Sequence, residues 1–168
     1  LFCAVRRLWT EGFHVLLQLL GFFEEQYRQE VDRLVADGMT EFYGFQKEPL
    51  PFYQNCDCVV LPSYHEGMSN VLLEAAAVGR PIIASDIPGC REAVEHSKTG
   101  LLCRAKDADS LYVAMRAFLA LSAEQKAALG QNGRRKMERE FNKASVVAET
   151  LRIVTAEKAA PQPRRVPA

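Results

Sequence analysis

The stretch DCVVLPSYHEGMSNVLLEAAAVGRPIIAS, residues 57–85, reads as strand, turn, helix, strand. Cys58-Val59-Val60-Leu61 and Ile82-Ile83-Ala84 are unbroken apolar runs, not alternations of apolar and polar residues. A strand with no polar face is covered on both sides, as in a parallel sheet between two layers of helices. The segment between them has clear helix ends. Ser69 or Asn70 can cap its start, and Gly79 followed by Pro81 stops it. Ala75-Ala76-Ala77 lets that helix lie close on a sheet.

The same alternation extends in both directions. Strands are expected at Leu1–Val5, Glu41–Phe45, Asp57–Leu61, Pro81–Ser85 and Gly100–Cys103. Helical stretches are expected at Glu24–Ala36, around Pro49–Asn55, over Ser69–Val78 and near Cys90–Glu95. This order specifies an α/β fold, a Rossmann-like parallel sheet flanked by helices. After Cys103 the pattern is helical only: a helix capped by Asp107 or Asp109, another from Ser122, a third through Arg134–Phe141, and a last over Asn142–Ala159. Pro161 to Ala168 is expected to be a disordered tail. Between Gly12 and Gly21 the run Phe13–Leu20 suits a helix or a strand equally. As a strand parallel to Leu1–Val5 it would lack the dozen or so residues a crossover needs.

The chain of 168 residues has the length of one ordinary domain. Its 48% hydrophobic and 25% charged residues exclude a disordered or collagen-like chain. No apolar run approaches the ~18 residues of a membrane span. Lys+Arg and Asp+Glu are both 21, but residues 131–168 hold nine basic and four acidic side chains. Such a segment is a solvated helix face or a weak anchor for an anionic surface. A neutral chain without a basic stripe lacks a nucleic-acid footprint. Five cysteines, with no CxxC, fit neither a disulfide framework nor a zinc site and point to a reducing, cytoplasmic setting.

The chemistry gathers on the strand–turn–helix unit. A helix N-terminus at the carboxyl end of a strand offers free N–H groups and partial positive charge to phosphate. Open α/β sheets place their ligand crevice at that edge. Glu66 precedes the helix and Glu74 lies within it, so two carboxylates flank a phosphate-friendly helix end. That geometry suits a molecule carrying both sugar and phosphate. A capped helix with two solvated glutamates accounts for the same residues. His65 beside Glu66 lacks a third metal ligand, Ser63 stands in no G-x-S-x-G elbow, and Cys56 and Cys58 are poorly spaced for a redox pair. Arg80 and Arg104 are within chain reach of a phosphate but read first as solvated surface.

Glu66 and Glu74, with seven residues between them, resemble the E-x7-E signature of the family 4 (group 1) glycosyltransferases, in their GT-B C-terminal donor-binding domain. Phe42-Tyr43-Gly44-Phe45, Asp86-Ile87-Pro88-Gly89-Cys90-Arg91-Glu92-Ala93-Val94 and Gly100-Leu101-Leu102 extend the resemblance over about residues 38–158. It is closest to bacterial capsular or exopolysaccharide enzymes. The resemblance implies that Glu74 holds the ribose hydroxyls of a nucleotide-diphospho-sugar and Glu66 contacts the donor sugar. It implies that Gly67, Met68, Ser69, Asn70 and Val71 cradle the diphosphate, and that Tyr43, Gly44 and Phe45 lie near the base. Transfer with retention, no metal or other cofactor, and a glycan or lipid-linked acceptor are further implications. So is a cytoplasmic setting at the inner face of the membrane, with peripheral association. Relatives of this type place the acceptor on a separate N-terminal domain, and a chain that opens on Leu1 is expected to have lost it. The donor-binding domain is then residues 1–160, inactive alone. The rival expectation is a non-catalytic nucleotide-sugar-binding or orphan structural domain, and a sugar-nucleotide epimerase is a weaker one.

The segment from Leu1 to Gly21 departs from the family pattern. An Arg-x4-Lys-Gly grip on the diphosphate is usual after the first strand. Arg6 fits the arginine, which gives it a catalytic assignment beside Glu66, and Gly12 fits the glycine. Glu11 stands in place of the lysine, and the length of a helix and a strand is then missing before Gly21. The segment is therefore expected to be degenerate, with lysine at position 11 improving donor affinity.

Overall fold

A computed structural model describes residues 1–22 and 25–159. The expected tail over 161–168 lies outside the described residues, as does Glu24 at the start of one expected helix. In chain order the elements are α1 (Phe2–Thr10), β1 (Leu17–Leu20), α2 (Arg28–Ala36), β2 (Thr40–Gly44), α3 (Leu50–Asn55), β3 (Val59–Leu61), α4 (Asn70–Ala77), β4 (Ile82–Ser85), β5 (Gly100–Cys103), α5 (Ala108–Leu119), α6 (Ala123–Glu140) and α7 (Lys143–Ala159). A single 3₁₀ turn, Glu25–Tyr27, leads into α2.

All strand pairing among the described residues is parallel. β1 pairs with β2, and β3, β4 and β5 form a second ladder with β4 in the centre. Alternate residues of β4 face opposite layers. Ile83 enters a core with Ala4, Val5 and Leu8 of α1 and Leu111, Met115 and Phe118 of α5. Ile82 and Ala84 enter another with Leu72, Ala75 and Ala76 of α4 and Met137 of α6. All four residues of β4 are buried, as its unbroken apolar run requires. The α/β fold with a parallel sheet between helices is the one expected.

Four local expectations are corrected. Leu1–Val5 is not a strand but lies in the first turns of α1. A run this short cannot tell a period of 2 from 3.6; with Leu8 added, Ala4, Val5 and Leu8 form a helical stripe, each 0% exposed. Gly12, with φ +86°, closes that helix: its N–H bonds Trp9 O and the N–H of Phe13 bonds Leu8 O, a Schellman ending. The ambiguous run after it contains β1, whose parallel neighbour is β2, with α2 as the crossover. A helix and a strand thus precede Gly21, and with no strand at Leu1–Val5 no crossover from it is needed.

The segment 122–141 forms one helix, not two. Its Gly130 and Gly133 are contact points and not breaks: a Cβ on Gly130 would lie 2.9 Å from the carbonyl carbon of Gly79, and one on Gly133 would lie 3.7 Å from Ala76 Cβ. Near Cys90–Glu95 the chain makes successive turns without a helix. Capping follows the expected residues. Asp107 accepts from the Ser110 N–H at 2.8 Å. Ser122 and Gln125 form a capping box on α6.

Candidate functional site

The loops that leave β3 and β4 at their carboxyl ends meet above α4. Ser69 occupies the N-cap of α4 with extended backbone, but its side chain makes no capping bond. Its carbonyl takes the N–H groups of Leu72 and Leu73, both at 3.1 Å. Among the described residues no side chain accepts from the first-turn amides, and they point where the β3 loop ends. Ser69 itself is buried, whereas Met68 and Val71 are exposed.

Gly89, on the loop after β4, lies against the β3 loop. Its φ is +86°, and a Cβ there would stand 2.6 Å from Glu66 O and closer still to Gly67 O. The backbone of one loop thus rests on the other where Glu66 and Gly67 turn towards α4. The Gly89 N–H is occupied by Glu92 Oε2 at 2.5 Å, and Arg91 pairs with Asp86 at 2.6 Å. Both contacts fix the supporting loop.

Each glutamate of the pair is held by a hydroxyl from a neighbouring segment. Ser63 Oγ donates to Glu66 Oε1 at 2.7 Å. Tyr53 on α3 donates to Glu74 Oε2 at 3.2 Å. Burial, and then the Glu74 carboxylate, push the Tyr53 phenol up to about 12, so it remains a donor throughout the neutral range. Burial, with Glu66 and Glu92 nearby, pushes the Cys90 thiol up to about 11 and keeps it protonated. Sequence reasoning assigns neither hydroxyl this role. Ser63 stands three residues before Glu66, the spacing of an S-x-x-E capping pair, so that contact has a local signal. Tyr53 is 21 residues from Glu74 and has none.

At the carboxyl end of β2, the Tyr43 ring meets Phe52 edge-on at 4.8 Å, and its hydroxyl donates to Glu41 Oε2 at 2.6 Å. Phe52 and Tyr53 are neighbours on α3, so α3 joins the Tyr43 end of β2 to Glu74. Gly44 takes φ +65°, and Phe45 stacks on Phe22 with centroids 5.5 Å apart; both rings are exposed.

Arg6 lies in the middle of α1, with Nη2 3.9 Å from Glu30 of α2 and Nε buried without a partner among the described residues. The strand behind which it was expected does not exist. Glu11 is likewise engaged structurally. It accepts from Tyr112 Oη and from Arg116 Nε at 3.1 Å, and lies 3.8 Å from Arg7, which ties the end of α1 to α5. The Tyr112 hydrogen bond, with Arg116 and Arg7, lowers its carboxyl below the ordinary value. Lysine at this position would face two arginines, so the expected gain in affinity on restoring it no longer has a basis. Arg80 also serves the fold, donating to Cys56 O at 3.0 Å and Gln54 O at 2.7 Å behind α3. Among the described residues no group of three or more His, Cys, Asp or Glu is placed to hold a metal ion.

Comparison with known proteins agrees with this architecture. Residues 1–120 match the family model described as glycosyl transferases group 1. A putative colanic acid biosynthesis glycosyltransferase, WcaL, of Escherichia coli K12 is 28% identical over 163 residues, 91% of this chain and 40% of the relative. The solved sucrose-phosphate synthase of Thermosynechococcus elongatus superposes with a TM-score of 0.74 at 29% identity, over 86% of this chain and 39% of that one. Anabaena HepE, solved with UDP-glucose, has the same fold, with a TM-score of 0.73 at 23% identity over 83% of this chain and 40% of that one. The chain spans less than half the length of the curated relatives it matches.

Proposed function

The chain belongs to the group 1 glycosyltransferase family, and on that premise we propose that it forms the nucleotide-sugar donor site of an enzyme that builds a polysaccharide or a lipid-linked glycan. The observation that carries the reading is the pair Glu66 and Glu74, each held by a hydroxyl, on either side of a helix start that no described side chain caps. Fixed sugar-binding acceptors and open backbone donors are thereby combined at one edge of the sheet.

The roles follow from charge and geometry. The diphosphate lies against the β3 loop and the start of α4, over Gly67, Met68, Ser69, Asn70 and Val71, where amides and the helix dipole favour negative charge. As the glycosidic bond breaks, charge accumulates on the diphosphate oxygens, and these fixed donors stabilise it without reorganising. Glu74 accepts hydrogen bonds from the ribose, and Glu66 accepts from a hydroxyl of the donor sugar. The base extends towards Tyr43, Gly44 and Phe45. Transfer proceeds with retention, to an acceptor presented by a separate domain, and needs no metal. The donor is met in the cytoplasm at the inner face of the membrane, the basic stretch after residue 130 favouring an anionic surface. No described helix is long and apolar enough to cross a membrane.

Calorimetric titration with a panel of UDP- and GDP-sugars tests this reading. One donor class is expected to bind the chain, and Glu74→Ala to weaken it about tenfold or more, in line with losing hydrogen bonds to a charged acceptor. Absence of binding by every nucleotide would sink the donor-site assignment. Binding without transfer to any acceptor, in the chain joined to an acceptor domain, would leave a binding module in place of an enzyme.

A further inference from the structure

We propose that Tyr53 is a positioning residue of the donor site: its hydroxyl holds one oxygen of Glu74 so that the other is presented to the ribose. The inference rests on the ribose role given to Glu74 above. Tyr53 is 8% exposed, whereas Glu74 lies on the open face of α4. The donor is therefore fixed in the core and the acceptor stands in solvent. The bond runs from Tyr53 Oη to Glu74 Oε2, and Oε1 accepts no hydrogen bond among the described residues. A carboxylate has capacity for several donors, so holding one oxygen leaves the other able to receive a diol.

The element that carries Tyr53 is itself anchored. Arg80, just beyond the end of α4, donates to Gln54 O and Cys56 O at the end of α3. Phe52 packs on Tyr43 at the other side. Helix α3 is thus held at two points besides the hydrogen bond, by Arg80 next to α4 and by Tyr43 of β2. A glutamate free on a helix surface spreads over many rotamers and loses that freedom when it binds. Tyr53 removes part of the loss in advance, which strengthens binding without touching the ligand.

The test uses whichever of UDP and GDP the chain binds, with its 2′,3′-dideoxy counterpart, titrated into wild type, Tyr53→Phe, Glu74→Ala and the double variant. Tyr53→Phe is expected to weaken the ribonucleotide about five- to tenfold, the scale of one ordinary net hydrogen bond. The dideoxy analogue should bind it as it binds wild type, and the double variant should match Glu74→Ala. A purely structural role for Tyr53 would lower thermal stability and weaken both analogues alike, which would overturn the proposal. So would equal binding of the ribonucleotide by wild type and Tyr53→Phe. If Glu74→Ala leaves discrimination between the two analogues intact, the ribose role of Glu74 fails, and the proposal with it. If wild type binds neither, the donor-site reading fails first.

Discussion

Replacing Gly89 with alanine probes the contact between the two site loops. Two costs add at this position. A non-glycine residue at φ +86° costs roughly 1–2 kcal/mol, partly offset by about 0.4–1 kcal/mol because alanine restricts the unfolded chain. The second cost is steric. The new Cβ would lie 2.6 Å from Glu66 O and closer still to Gly67 O, whereas ordinary contact begins at 3.4 Å, so both carbonyls must retreat by at least that difference. Overpacking of this kind costs about 1–3 kcal/mol. The sum is about 3 kcal/mol or more, at least roughly 6–12 °C in Tm for a domain of this size. Gly79→Ala isolates the first cost, because Gly79 has φ +75° but its nearest neighbour would stand 3.8 Å away. Its loss should be about 1 kcal/mol, or roughly 2–4 °C. Thermal denaturation by circular dichroism compares the two variants, and calorimetry follows nucleotide binding. Gly89→Ala should lose affinity as well as stability, since the carbonyls it displaces belong to the loop proposed to hold the diphosphate, while Gly79→Ala should bind as wild type does. Equal Tm values for the two variants, with unchanged affinity in both, would refute the loop contact and the cradle built on it.

Two other expectations follow from the hydrogen bonds around the site and at α1. Ser63→Ala should leave the affinity for free nucleotide unchanged and weaken the nucleotide-sugar about three- to tenfold, because it frees the glutamate assigned to the sugar; equal loss for both ligands in competition titrations would remove Glu66 from that role. Glu11→Lys should lower Tm without raising donor affinity, and Glu11→Gln should flatten the acid limb of stability in a pH series. Its folded carboxyl is lowered, so its contribution is complete above the ordinary value of 4.5 and is lost as the pH falls through the lowered one. An unaltered acid limb would contradict that tether.

How much of the fold is legible in the chain depends on the range of the interaction. β3, β4 and β5 are readable because a strand buried on both faces writes a continuous apolar run, as Cys58–Leu61 and Ile82–Ala84 do. The end of α4 at Gly79 is readable because its Schellman turn is a local event. Leu1–Val5 reads wrongly as a strand because its partners, in β4 and α5, lie far along the chain. That error then sets Arg6 and Glu11 behind a strand, whereas Arg6 lies within a helix and Glu11 at its end. The apparent break in α6 has the same origin: Gly130 is required by Gly79, distant in sequence, and not by the helix that contains it. The E-x7-E pair stands out by spacing alone, but the hydroxyl that holds Glu74 comes from a different helix.

The close approach of Gly130 to Gly79 constrains how the protein responds to a ligand. Helix α4 meets α6 there and again where Gly133 faces Ala76, and the loop ahead of its first turn rests on Gly89. The contacts at Gly130 and Gly89 are backbone on backbone, with no rotamer to absorb a shift, so α4 moves only if α6 and the β4 loop move with it. A ligand at the proposed donor site is therefore met by a unit that responds as one piece.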